Sequence, residues 1–170
     1  SGDELVRPDQ PLSPGKIRDA NTSMFVALLA QRGIEANFIG IVPDDPAAVQ
    51  ECLREAGNSG PDLILSTAGV SVGVYDYIRQ AIEEQGQLDF WRANMRPGKP
   101  IAFGLYKDIP FIGLPGNPVS AFVGYQVFVM PALDRLAGLL STHRDIVRAS
   151  LETPLESDGR ETYLRVVLSK

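Results

Sequence analysis

The residues most suited to chemistry gather in a few short loops. Ser66-Thr67-Ala68-Gly69-Val70-Ser71-Val72-Gly73 is a run of small residues ahead of an apolar, helix-patterned stretch. Small residues let backbone amides approach an anion closely, and a helix N-terminus adds partial positive charge. That suits phosphate or another oxyanion. Gly113-Leu114-Pro115-Gly116-Asn117-Pro118-Val119-Ser120 follows the same logic, with two prolines and two glycines fixing the backbone. A rigid loop presents donors at lower entropic cost. Asp3, Glu4, Asp19, Asp44, Asp45 and Asp76 all fall in or beside loops. Carboxylates gathered at one edge could hold Mg²⁺, which takes oxygen ligands and bridges to phosphates. Arg92, Arg96 and Lys99 flank the Pro97-Gly98 turn and could bind an anionic ligand. Plainer readings stand beside each: a tight turn, a helix cap at Asp45, a solvated strand edge. The lone His143 and the lone Cys52 give no Ser-His-Asp arrangement and no zinc spacing. No Walker loop or G-x-G-x-x-G fingerprint occurs.

The elements that must position these loops alternate. Asn21 is read as the cap of a helix at about 22–32, with Gly33 as its stop. Residues 35–42, with Phe38, Ile39, Ile41 and Val42, predict a strand. Asp45 as N-cap and Pro46 as first helical residue predict a helix over about 46–57. Leu63-Ile64-Leu65 reads as a strand buried on both faces. A helix at about 75–86, an extended segment from Phe90, short strands at 101–106 and 111–114, and a long helix at about 119–137 follow. Alternation of this kind predicts a three-layer α/β fold with a mostly parallel sheet, whose ligand crevice lies at the carboxyl ends of the strands. After residue 145 the pattern changes. Residues 146–151 and 162–168 alternate apolar and polar, predicting an antiparallel hairpin of a second, β-type module.

Length and composition set the frame. The chain has 170 residues, 44% of them hydrophobic and 22% charged, which is ordinary globular composition and excludes disordered and fibrous classes. A net charge of −5 disfavours a general nucleic-acid binder. No apolar run is long enough for a transmembrane helix, and one cysteine fits a reducing cytoplasm. The chain starts without Met in a turn and stops after a strand-like run, so it is expected to be a piece of a longer protein.

Taken together, six motifs carry a resemblance. They are Gly2-Asp3-Glu4-Leu5, Ile17-x-Asp19-x-Asn21, Gly40 to Pro46, Thr67 to Gly73 with Asp76-Tyr77, Arg96-Pro97-Gly98-Lys99-Pro100 with Ala102-Phe103-Gly104, and Gly113 to Ser120. In this order the chain resembles the molybdopterin molybdenumtransferase family, MoeA in bacteria and the E domain of gephyrin in animals. Residues 1–140 are similar to its molybdopterin-binding αβα domain, of MogA/MoaB type, and 145–170 to the opening of its C-terminal β-barrel domain. The resemblance implies insertion of molybdate into adenylylated molybdopterin with release of AMP, assisted by Mg²⁺, in a homodimeric cytoplasmic enzyme. It implies catalytic and Mg²⁺-binding roles for Glu4, Asp44 and Asp76. It implies phosphate and pterin binding by Thr67, Gly69, Ser71 and Gly73. Molybdate-proximal positions match Arg92, Arg96, Pro97, Lys99, Asn117 and Ser120, with Arg160 matching a basic residue nearby. Two lysines usual in the family are Arg92 and Arg96 here, and Ala68 stands for a glycine. The alternatives are a MogA-like adenylyltransferase, a CinA-type nucleotide hydrolase and a non-catalytic scaffold module. A strand is expected ahead of Ser1.

Overall fold

The computed structural model describes residues 2–67, 74–139, 146–156 and 158–169, and the side chains of 74–76 lie outside that description. Two short parallel strands, β1 (Leu5–Val6) and β2 (Ile17–Arg18), lead into α1 (Ala20–Ala30). The cap of α1 is Asp19, not Asn21: the Asp19 carboxylate accepts from Thr22 N at 3.1 Å. Both residue types cap well, and tertiary contacts decide between them, because Asn21 is used elsewhere. Residues 35–42 form no strand, contrary to the sequence expectation. Their apolar residues mark burial, with Ile39 and Val42 packed on the core, but a strand also needs a ladder partner.

α2 (Pro46–Asn58) begins as its sequence dictates. Asp45 accepts from Ala48 N at 2.8 Å, Pro46 opens the first turn, and Val49, Leu53 and Ala56 recur on one buried face. β3 (Ile64–Thr67), α3 (Val74–Gln85), β4 (Gly86–Arg92), β5 (Met95–Arg96), β6 (Pro100–Tyr106) and β7 (Ile109–Leu114) follow. α4 (Pro118–Gly124) runs through a π-helical turn at Tyr125–Val129 into α5 (Met130–Leu136). Ala121, Tyr125, Val129 and Leu133 are buried at four-residue steps. In a regular helix such steps drift by about 40° each. The wider π turn takes up part of that drift and accommodates Pro131, which has no N–H to donate.

The main sheet has the order β3-β7-β6-β4. β3 pairs with β7 in parallel, Ile64 opposite Phe111 and Thr67 opposite Leu114. β6 and β7 form a hairpin whose two-residue loop, Lys107-Asp108, has positive φ at both positions, as this tight turn requires. The sheet is therefore mixed, although three of the five strand pairings among the described residues are parallel.

Helices cover both faces. Phe111 points to α2 and α3 beside Val49, Leu53, Ile78 and Ile82. Its neighbour Ile112 points the other way, to Phe25 of α1 and to Ala121, Tyr125 and Val129. Burying each such side chain contributes about 1.5–3 kcal/mol. The result is a three-layer αβα unit, in line with the expected α/β class.

The expected hairpin after residue 145 is not formed among the described residues. Only β8 (Glu161–Thr162) is regular there, and it pairs in parallel with β5. Ile146 is 91% and Val167 96% exposed, so the alternating apolar positions have no surface to bury against. Among the described residues no helix is long and apolar enough to cross a membrane.

Candidate functional site at the carboxyl edge of the sheet

The parallel register of β3 and β7 brings the ends of both strands, Thr67 and Leu114, side by side. Because β6 runs antiparallel to β7, its start at Pro100 lies at the same edge, and Arg92 at the end of β4 is opposite Pro100. One edge therefore collects Thr67, the 115–117 loop, the 93–99 turn and Arg92. Gly69, Ser71 and Gly73 lie outside the described residues. Asp76 falls in the first turn of α3, with its side chain outside the description.

Pro115 is buried and anchors a loop whose next residues, Gly116 and Asn117, are exposed. Asn117 caps α4, accepting from Val119 N at 3.0 Å and Ser120 N at 3.2 Å. The loop is also clamped from α1, where Asn21 Nδ2 donates to Gly116 O at 2.8 Å. Asn21 is only 7% exposed, and its Oδ1 is buried without a hydrogen-bond partner. Asp19 and Asn21 thus serve as scaffold: one starts α1, the other holds the β7–α4 loop.

The 93–99 turn is closed by Ala93 N donating to Lys99 O at 3.0 Å, with a cis bond between Arg96 and Pro97. Gly98 has φ +106°, and a Cβ there would lie 3.3 Å from Met95 Cε and 3.6 Å from Ser120 O. The turn therefore packs directly on the first turn of α4. Arg92, Arg96 and Lys99 are exposed around it.

Arg160 joins this group. Pairing of β8 with β5, reinforced by Tyr163 N donating to Arg96 O at 2.8 Å, brings residue 160 beside Arg96. Both arginines meet Asp158: Arg96 Nη1 lies 3.6 Å from its Oδ2, and Arg160 Nε donates to the same oxygen at 3.0 Å. Hydrogen bonds from Arg160 hold the Asp158 carboxyl down at about 2. Sequence analysis did not single out Asp158. Its spacing of two from Arg160 is the signal that could have marked it.

An acidic strip lies beside this edge. Gly2 N donates to Val42 O at 3.0 Å, and Asp44 N donates to Asp3 Oδ1 at 3.2 Å, so residues 2–4 dock against 42–44. Gly2 has φ +138°, and a Cβ there would sit 2.5 Å from Glu4 Oε2, so the Glu4 carboxylate folds back over it. The Asp44 carboxyl is pushed up, by desolvation first and then by the charges of Asp3 and Glu4. Crowded carboxylates of this kind suit a cation. Among the described residues, however, no three acidic, histidine or cysteine side chains are grouped to hold a metal. Completion of a Mg²⁺ site from Glu4 and Asp44 would rest on Asp76.

Chemically, the edge offers a glycine turn with four cations around it, Arg92, Arg96, Lys99 and Arg160, a set whose charge suits an oxyanion.

Residues 1–135 match the family described as "Probable molybdopterin binding domain". The chain is 40% identical over 170 residues to the molybdopterin molybdenumtransferase of Nostoc sp., covering 96% of this chain and 39% of that protein. It is 35% identical over 174 residues to the molybdenum cofactor synthesis protein cinnamon of Drosophila melanogaster, covering 100% of this chain and 29% of that protein. Among solved structures it is similar to the molybdopterin biosynthesis MoeA protein of Pyrococcus horikoshii, with a TM-score of 0.74 and 31% identity over 82% of this chain and 34% of that one. The chain spans well under half the length of these relatives. With residues 1–135 matched and the αβα architecture in place, the chain belongs to the molybdopterin-binding domain family.

Proposed function

We propose that this chain is the ligand-binding part of a molybdopterin molybdenumtransferase, which inserts molybdate into adenylylated molybdopterin and releases AMP. The observation that carries this reading is the packing of the 93–99 turn, which bears Arg96 and Lys99 and has Arg160 held beside it, on the first turn of α4. Molybdate is a tetrahedral dianion and suits guanidinium, ammonium and helix N-termini. Cleavage of the phosphoric anhydride needs its developing charge neutralised.

In this reading Thr67, Gly69, Ser71 and Gly73 bind the phosphate and pterin. Arg92, Arg96, Pro97, Lys99, Asn117, Ser120 and Arg160 surround the molybdate. Glu4, Asp44 and Asp76 place Mg²⁺, which supplies charge neutralisation at the anhydride. Residues 1–140 form the binding domain, 145–170 open a β-barrel domain, and the full-length protein is a cytoplasmic homodimer.

The test is molybdate-dependent release of AMP from adenylylated molybdopterin by the protein in its full natural length. Release supports the reading. Consumption of ATP to adenylylate molybdopterin, without molybdate-dependent AMP release, replaces it with an adenylyltransferase. Neither activity, with the ligand still unbound, points to a scaffold module.

A further inference from the structure

Among the described residues the Asn21 side chain makes one hydrogen bond, from Nδ2 to Gly116 O at 2.8 Å, and its Oδ1 is buried without a partner. A buried acceptor in that state is rare in folded chains and lowers stability. Gly116 belongs to an exposed loop, so water can stand in for Nδ2 at its carbonyl. An apolar side chain of similar shape at position 21 would remove the orphaned acceptor and lose only a bond that water can replace. Stability alone therefore gives asparagine no advantage at this position.

Nor is the tether needed to hold α1 in its layer. Phe25 lies four residues on, along the same face of α1, and is buried against Tyr125 with ring centroids 5.6 Å apart. Apolar packing already seats the helix. What Asn21 adds, one turn earlier, is a fixed point on the loop between β7 and α4.

From that loop a chain of contacts leads to the cations. Asn117 follows Gly116, and its side chain accepts from Val119 N at 3.0 Å and Ser120 N at 3.2 Å, which sets the first turn of α4. Ser120 O lies 3.6 Å from where a Cβ on Gly98 would stand, so the 93–99 turn rests on that first turn. The bond from Ala93 N to Lys99 O at 3.0 Å closes the turn into one unit. Arg96 and Lys99 flank Pro97-Gly98 within it. Close-packed structure transmits strain, so a shift at Gly116 reaches the backbone that carries both cations.

We propose, resting on the oxyanion reading above, that Asn21 is a positioning residue: through Gly116 and the first turn of α4 it holds the 93–99 turn so that Arg96 and Lys99 converge on one tetrahedral oxyanion. Among the described residues no hydrogen bond or ion pair joins Asn21 to Arg96, so any coupling between them runs through this chain of contacts.

The test is a double-mutant cycle in molybdate affinity, read by titration calorimetry on the protein in its full natural length, with melting temperatures beside it. Asn21→Leu is expected to weaken molybdate binding roughly tenfold, as for the loss of one charge-assisted hydrogen bond, while the melting temperature holds or rises. Arg96→Ala is expected to weaken binding by a similar factor. Sites with no shared partners would multiply their losses, whereas the double variant is expected to fall well short of the product, because Asn21 acts through the turn that bears Arg96. Asn21→Ala, which leaves a small void in place of the amide, gives the same comparison where leucine is not accommodated. Unchanged affinity in these two Asn21 variants would overturn the proposal. So would a loss that tracks a fall in melting temperature and multiplies with that of Arg96→Ala, which marks a purely structural residue. A wild-type protein that binds no molybdate would overturn the oxyanion reading and the proposal with it, a result distinct from the other two.

Discussion

At Asp44 the carboxyl sits above its ordinary range, through desolvation and then the nearby Asp3 and Glu4. The sign of its effect on stability follows. A carboxyl raised on folding binds its proton more tightly in the native state, so the charged form disfavours folding above the native pKa. Asp44→Asn is expected to raise the melting temperature at pH 7, with the gain vanishing as pH falls below about 4. If the proposed function holds, the same change is expected to abolish AMP release by the full-length protein, as stability and function commonly conflict at a site. Thermal melts across pH, set beside turnover, check both halves. A loss of stability at pH 7 would show Asp44 to be a structural acid. Asp158 behaves in the opposite sense, being held down at about 2 by Arg160. Asp158→Asn frees Arg96 and Arg160, so molybdate is expected to bind a few-fold more tightly, most clearly at low salt. Titration calorimetry at two ionic strengths reads this. Single residues were legible where their role is local. Asp45 caps α2 because its oxygen reaches an amide three residues on, a distance fixed by sequence alone. Asn21 was not, because its partner Gly116 lies 95 residues away.

Among the elements, α4 depends on the cap that also shapes the anion seat. Asn117→Ala removes the acceptor for Val119 N and Ser120 N and is expected to cost about 1 kcal/mol in denaturant unfolding. Gly98→Ala tests the neighbouring turn. Its φ of +106° strains any side chain, and the new methyl would press on Met95. A loss of about 1–3 kcal/mol is expected, measured the same way. Helices were legible in the sequence nearly to their ends, because caps and four-residue spacing are local signals. Strand pairing was not. Residues 35–42 and 146–151 carry strand-like patterns, yet neither forms a ladder among the described residues. A ladder needs a partner, and a pattern in one segment says nothing of whether the partner is there.

Across the whole molecule, charge is gathered in local clusters: the acids of residues 3, 4 and 44 in one, and Arg92, Arg96 and Lys99 around one turn with Arg160 beside Arg96 in another, within a chain of net charge −5. The α/β class followed from alternation alone. The link from residue 160 back to the 93–99 turn did not, because it rests on the parallel pairing of β5 with β8. Removing residues 146–170 is expected to leave the melting temperature of the αβα unit within a few degrees, since that segment buries little. It is expected to weaken molybdate binding, since Arg160 goes with it.

The most direct measurement is equilibrium binding of adenylylated molybdopterin and molybdate to this chain, with Arg96→Ala alongside. Hydrogen bonds to charged groups contribute about 1.5–3 kcal/mol, and 1.4 kcal/mol is a tenfold change in affinity. The account expects saturable binding that weakens at least about tenfold in Arg96→Ala while the melting temperature holds. Absent binding, or binding that Arg96→Ala leaves unchanged, would contradict an oxyanion seat at the carboxyl edge.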